Sequence, residues 1–449
     1  MSFVPHSPDD RKAMLEALGL ASVDDLFSPI PDALRLPSVD LPAPKSEMEL
    51  AGHLASLAEA NRPLSSYSSF VGGGVYRRYI PALVRSVLQR PEFYSAYTPY
   101  QAEASQGTLQ SIYEFQTMMC ELTGLDVANA SLYDGGTALG EAAILALLHT
   151  GRKRIAVVEG VHPEHMAVLL TMLRARHVAC DVIPLTNGTL SREAVTNVLS
   201  DAHAALIVPQ PTIYGTVLDY TSLPECAHAV GALALSDADP LALLLVTPPG
   251  EAGFDVVTGD GQQLGIPLSY GGPHVGYMVV RDTFIRKIPG RLAGATVDAQ
   301  GERAFTLTLQ AREQHIRRER ATSNVCTNHA LMALATTVYM AELGAGGLKG
   351  VATTSASALH RLARALSEIE GFTLTYPEAP YLWEATITLP GSAEAFSSHM
   401  REQGILPGIP LRQLVPRAES TDILIACTEY TTRDDIDAYI DAAHSWRTA

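Results

Sequence analysis

The chain reads as an α/β protein: a mainly parallel sheet covered by helices, followed by a smaller α+β unit. Two observations predict this. Between Gly140 and Ala238 helical and strand-like periods alternate, with apolar strands expected at 154–158, 180–185, 204–208 and 232–238. That alternation is what a parallel sheet with crossover helices produces. Past a long apolar helix that starts near Asn328 the pattern changes to short strands near 373–376, 384–388 and 422–427, interleaved with helices. The length, 449 residues, exceeds one core at roughly 100–200 residues per domain. Three regions are expected: an N-terminal arm and helix at 1–60, a large sheet domain at 61–327, and the long helix with a small α+β domain at 328–449.

Composition narrows the function classes. A hydrophobic share of 47% with 18% charged residues suits a packed globular chain, not a disordered one. The net charge of -16 argues against nucleic acid and against anionic membranes, which need Lys and Arg. Five scattered cysteines, none in a CxxC pair, read as free thiols in a reducing cytoplasm, not as a disulfide frame or a metal site. The N-terminus has no continuous apolar stretch of the signal-peptide kind. No run is expected to be long and apolar enough to span a bilayer; 227–246 is broken by Ser236, Asp237, Asp239 and Pro240.

In chain order, Ser7-Pro8-Asp9 caps and opens a helix that runs to about Leu18 and stops at Gly19. Pro29, Pro31, Pro37, Pro42 and Pro44 follow. So dense a set of prolines builds no core and reads either as a linker or as an arm that wraps a partner subunit. Residues 47–60 have helical spacing with Leu50, Leu54, Leu57 and Ala58 on one side. Phe70-Val-Gly-Gly-Gly-Val75 is a glycine-rich loop, and Pro81 opens a short helix. The segment Tyr97-Thr-Pro-Tyr-Gln-Ala-Glu103 is aromatic and polar at once: a capped turn with solvated rings, or a loop that faces a ligand or partner. After it, Leu109, Ile112, Phe115, Met119 and Leu122 mark one face of a helix over 106–123. The long helix should end at Gly344-Ala-Gly-Gly347, a C-cap signal, with a second helix over 353–369.

Four motifs carry chemistry. Asp134-Gly135-Gly136-Thr137 stands between a strand end and a helix start. Glycines there let an anion approach free N–H groups, as pyridoxal-phosphate (PLP) folds hold their phosphate, although such a turn is more often structural. His162, just past the strand at 155–158, is placed to stack on a pyridine ring or to cap the next helix. Asp239, at the end of a buried strand, is placed to pair with a pyridine nitrogen or to cap the turn before Leu241. The next member of this series would be a lysine on the turn through Gly259-Asp260-Gly261, and the candidate position holds Gln262. The only lysines are Lys12, Lys45, Lys153, Lys287 and Lys349. Without an amine there the chain cannot form the Schiff base that PLP chemistry requires. The last rich stretch crowds Arg312, Arg317, Arg318 and Arg320 ahead of Thr322-Ser323-Asn324. It suits an anion or an interface salt network, or is a solvated basic face.

Tyr97-Thr-Pro-Tyr-Gln-Ala-Glu103, Ala128-Asn-Ala-Ser-Leu-Tyr-Asp-Gly-Gly-Thr-Ala138, Gly259-Asp-Gly-Gln262 and Leu309-Gln-Ala-Arg-Glu-Gln-His-Ile-Arg-Arg318 together resemble the first subunits of two-gene glycine dehydrogenases (decarboxylating), the P-proteins of the glycine cleavage system. The resemblance spans nearly the whole chain. It implies the PLP-dependent transferase fold type I (aspartate-aminotransferase-like). It also implies an enzyme that releases CO2 from glycine and passes the aminomethyl group to the lipoyl arm of H-protein. It further implies an α2β2 heterotetramer in which subunit 2 holds the PLP covalently and this chain does not.

Active sites of that fold lie between subunits, so a chain without the lysine can still complete its neighbour's pocket. Thr322, Ser323 and Asn324 are then expected to reach the neighbour's phosphate. Tyr97, Tyr100, Gln101 and Glu103 are expected to line the glycine or lipoyl channel. The chain's own pocket, at Gly135, Gly136, Thr137, His162 and Asp239, is expected to be vestigial. Two other readings stay open: a scaffold that only stabilises subunit 2, and a self-sufficient PLP transferase that uses Lys287.

Overall fold

In the computed structural model, which describes residues 6–36 and 40–446, the helix–strand alternation becomes a seven-stranded sheet. Its strands are β1 (Val127–Ala128), β2 (Arg154–Val158), β3 (Ala179–Ile183), β4 (Ala205–Gln210), β5 (Leu233–Ala238), β6 (Val256–Asp260) and β7 (Gly276–Val280), in the order β1-β7-β6-β5-β4-β2-β3. Neighbours from β3 through β6 pair in parallel; β7 runs antiparallel to both β6 and β1. Alternate residues of each strand serve two separate cores, as the period of two requires. Ile155 and Val157 pack with Ala138, Leu139 and Ala142 of the Gly135–Thr150 helix, whereas Ala156 and Val158 pack with Leu223, Cys226 and Ala227 of the Leu223–Ala229 helix. The antiparallel hairpin of Leu292–Val297 with Arg303–Thr308 was not expected from the sequence pattern.

The long helix departs from expectation. It runs from Ala330 to Leu366, and Gly344, at φ 59° and ψ 177°, interrupts it without ending it. Glycine permits that left-handed step, and the helix resumes at once because both halves bury an apolar face, Tyr339 and Met340 before the kink and Leu359 and Leu362 after it. By length and composition this helix could cross a membrane, so the expectation of no such run is corrected. Its buried face places it in the core instead.

Beyond it a second sheet, antiparallel throughout, orders Thr373–Leu374, Glu384–Thr388, Asp422–Ala426 and Ile409–Pro410. The Arg433–Ser445 helix covers it, opened by the expected capping box of Thr432 with Asp435.

Two compact units are found, Met1–Pro63 and Leu64–Ala449, so both sheets belong to one unit. The smaller unit holds the Pro8–Leu18 helix, boxed by Ser7 and Asp10 and stopped by Gly19, and the Glu47–Glu59 helix, boxed by Ser46 and Glu49. Leu50, Leu54 and Leu57 of the latter are exposed. Pro37 and residues 1–5 lie outside the described residues.

Candidate functional site

A cleft of about 420 Å³ opens where the C-terminal ends of β5 and β6 meet the start of the Gly135–Thr150 helix. In open parallel sheets this edge is where ligands bind. The glycine-rich loop at Gly74–Tyr76 and the Leu382–Glu384 segment close the opposite wall.

At the helix start, two of the amides that would hold a phosphate, those of Gly135 and Thr137, are already engaged. Asp134 is the N-cap and accepts from Thr137 N–H at 2.7 Å. Gly135 N–H donates to Asp260 Oδ2 at 3.1 Å, and Asp260 also contacts His274 Nδ1 at 3.1 Å. The hydrogen bond to Asp260 raises His274, against its burial. His165 lies against Gly135, so close that a Cβ on residue 135 would stand 2.4 Å from its ring. Its Nδ1 meets Asp237 Oδ2 at 2.8 Å. Burial would lower His165, but Asp237, with Asp260 and Asp134 beyond, outweighs it and lifts the imidazole to about 9.

His162 takes its second reading. Its Nδ1 accepts from Glu164 N–H at 3.2 Å, capping the Pro163–Arg174 helix, and its Nε2–H donates to Gly73 O at 2.8 Å. Burial first, and His165 second, lower it. Its ring lines the cleft all the same.

The other end of the cleft is built around Gln262, Gln263 and Asp239. Gln262 does not face it. That side chain is 1% exposed and bonds Tyr76 N–H at 2.9 Å, Tyr76 O at 3.0 Å and Ile266 O at 2.9 Å. Gln263 lines the cleft instead. Adjacent residues of a tight turn point opposite ways, so Gln262 packs inward on Tyr76 while Gln263 faces the cleft. Gln263 Nε2 donates to Asp239, and its Oε1 accepts from Arg78 Nε at 2.9 Å. Asp239 also caps the next turn, accepting from Leu241 N–H at 2.9 Å. Burial pushes Asp239 up to about 6. The carboxylate inside the strand, two residues earlier, is Asp237, which the sequence pattern did not separate from Asp239 in the same Asp-Ala-Asp run.

Glu384 completes this end, accepting from Gly73 N–H at 2.6 Å and Tyr76 O–H at 2.9 Å, and burial pushes it up to about 7. Arg78, buried among the Tyr76 and Trp383 rings, also holds Glu429 at 2.8 Å. Nothing in the sequence pattern singled out Arg78 or Glu384; their importance comes from where two distant segments meet. His165 and Asp260 did leave a signal: the first stands one turn from His162, and the second lies within the Gly-Asp-Gly turn.

The residues expected to serve a neighbour lie elsewhere. Tyr97 (77% exposed), Tyr100, Gln101 and Glu103 are on the surface and do not line the cleft. Tyr100 sits under the Arg291 guanidinium at 5.9 Å, and Arg291 faces Asn328 and Glu313. Thr322 and Ser323 are half-buried and Asn324 is exposed. The long helix begins at Ala330 with His329 as its cap, so this turn lies outside its first turn. Ser323 Oγ accepts from Val325 N–H at 3.0 Å. Lys287 is remote from the cleft, its Nζ 2.7 Å from His149 Nδ1.

The architecture is that of fold-type I PLP enzymes. A solved "NIFS-LIKE PROTEIN" superposes over 84% of this chain and 98% of its own with a TM-score of 0.62 at 12% identity, a likeness of fold alone. The particular family is given by closer matches. A profile described as "Glycine cleavage system P-protein" matches residues 1–442. A "Probable glycine dehydrogenase (decarboxylating) subunit 1" of Thermomicrobium roseum is 45% identical over 445 residues, 98% of this chain and 99% of its own length. One of Listeria monocytogenes is 45% identical over 439 residues, covering 98% and 97%. A crystal structure of "glycine decarboxylase (P-protein) of the glycine cleavage system, in inhibitor-bound form" superposes over 99% of both chains with a TM-score of 0.89 at 40% identity. The chain belongs to the glycine cleavage system P-protein family.

Proposed function

We propose that this chain is the lysine-less first subunit of a heteromeric P-protein. With a homologous second subunit it decarboxylates glycine, releases CO2 and delivers the aminomethyl group to the lipoyl arm of H-protein. The observation that carries the reading is a full-length P-protein fold whose turn carries Gln262 and Gln263, and no lysine, where an amine is needed. PLP does not fit this chain's own cleft: among the described residues no Lys or Arg lines it, and the Gly135 and Thr137 amides of the helix start are held by Asp260 and Asp134. The cofactor therefore resides on the second subunit, where it serves as electron sink.

What this chain contributes is surface. Thr322, Ser323 and Asn324 bring hydroxyl and amide donors to the neighbour's phosphate, and Tyr97, Tyr100, Gln101 and Glu103 wall its substrate channel. An α2β2 assembly and a reducing cytoplasm complete the reading, the latter supported by five free thiols. The test is co-purification with the second subunit, followed by glycine–bicarbonate carbon exchange with H-protein. Activity should sit at background for the isolated chain and appear on mixing. Robust exchange by this chain alone would sink the proposal.

A further inference from the structure

We infer that the cofactor cleft of this chain is closed to phosphate esters by its own side chains: Asp260 answers the helix start, His165 answers the strand-end carboxylate Asp237, and Gln263, the glutamine of this turn that faces the cleft, is tied to Asp239. Loss of the lysine is then only one of three changes, and restoring the amine does not restore the site. This deepens the proposed function and rests on it for the comparison with the second subunit, while the readout is binding by this chain alone.

Size is not the obstacle. A cleft of about 420 Å³ falls within the roughly 300–1,000 Å³ typical of ligand pockets. Charge and hydrogen bonding are. A helix start attracts phosphate through N–H groups that lack partners. Here Gly135 N–H and Thr137 N–H have carboxylate partners at 3.1 and 2.7 Å. A phosphate placed there would meet Asp260 and Asp134 as like charges within hydrogen-bond reach.

Two imidazoles nearby are already committed, His274 to Asp260 and His165 to Asp237. The His165–Asp237 contact is the kind of charged N–H to carboxylate bond that a protonated ring nitrogen would make with the same strand end. The His165 ring lies against Gly135, so ring and phosphate cannot both be admitted without moving it. At the far end, Gln263 bridges Asp239 and Arg78. Two of the helix-start amides, Gly135 N–H and Thr137 N–H, and both carboxylates that a cofactor would use are thus satisfied from inside the chain, which lets the chain fold around this cleft without one.

The experiment titrates pyridoxal phosphate into the full-length chain, with absorbance and borohydride trapping as readouts and mass spectrometry to place any adduct. Wild type and Gln263→Lys should both give no adduct at position 263 at concentrations that saturate the second subunit. Gln263→Lys combined with Asp260→Asn and His165→Ala should give one. An adduct at position 263 in Gln263→Lys alone, as tight as in the second subunit, overturns the inference. So does a folded triple variant, confirmed by near-UV circular dichroism, that traps nothing.

Because the triple variant removes packed groups, Asp260→Asn alone is tested with inorganic phosphate by calorimetry. Its affinity should rise at least about ten-fold over wild type, the order expected from removing one like charge at contact range. No change would show that Asp260 does not exclude the anion.

Discussion

The cleft and the Thr322–Asn324 turn are both built from groups that suit an anion, and they differ in who satisfies those groups. In the cleft, Asp260 and Asp134 take the Gly135 and Thr137 amides of the helix start, and Gln263, itself held by Arg78, takes Asp239. At the turn Ser323 is bonded back into the chain, to Val325 N–H; Asn324 faces outward, with Arg317, Arg318 and Arg320 exposed just before it. A polar site that is satisfied internally is stable and inert. One left open is stable only in water or against a partner. The difference teaches that a site suited to an anion can be closed from inside the chain independently of the missing lysine. The inward site is closed by internal bonds, while at the outward one Asn324 stays exposed and Ser323 is bonded to Val325 N–H and Glu141.

The sharpest way to break that comparison is at the turn. Thr322→Val with Ser323→Ala in the reconstituted heteromer should weaken its hold on pyridoxal phosphate by about 1.5–3 kcal/mol for each lost bond to a charged group. Absorbance titration of the apo-heteromer measures it. An unchanged dissociation constant, with assembly confirmed by size, would leave the turn a local cap.

The cleft offers a pH test of nearly equal size. Against its burial, His165 is raised from 6.5 to about 9 by Asp237, Asp260 and Asp134. A raised histidine contributes stability that is complete below about pH 6.5 and is lost as the pH rises through about 9. The loss is at most about 3 kcal/mol, because a tenfold change in proton affinity is worth about 1.4 kcal/mol. Urea unfolding of the isolated chain across that window should show the decline, and His165→Gln should flatten it. A wild-type profile as flat as the variant's would mean that the imidazole is not held as a cation.

Smaller effects sharpen the lysine end. Gln262→Ala removes three hydrogen bonds and leaves Tyr76 N–H without its partner, so it should cost about 1–3 kcal/mol in unfolding free energy. A cost under about 0.5 kcal/mol would mean that the turn does not depend on this side chain. Lys287→Ala should change stability by less than about 0.5 kcal/mol and leave heteromer exchange activity as it was, since this lysine only pairs with His149 at the surface. Loss of exchange in that variant would revive it as a catalytic amine.

Local chemistry was legible in the order of residues alone. Ser7 and Thr432 cap their helices as their spacing demands, and Gly19 stops the first one. The strand at Arg154–Val158 and the helix at Gln106–Thr123 fall where periodicity puts them. These features depend on interactions within a few residues, which a sequence displays directly. The absence of a lysine at the cofactor turn was likewise plain, because no folding can supply a missing amine.

Tertiary structure decided what distance in sequence conceals. It turned Gln262 inward and Gln263 into the cleft, a choice made by the backbone of one turn packed against Tyr76. It let the long helix run through Gly344, since burial on both sides outweighs one left-handed residue. It brought Arg78 and Glu384, far apart in the chain, to the same end of the cleft. It set Asp260 on Gly135 and His165 on Asp237, pairs that are 125 and 72 residues apart. A chain's sequence states which charges it owns; only the packed fold determines which of them face one another, and so whether a site built for an anion still has room for its charge.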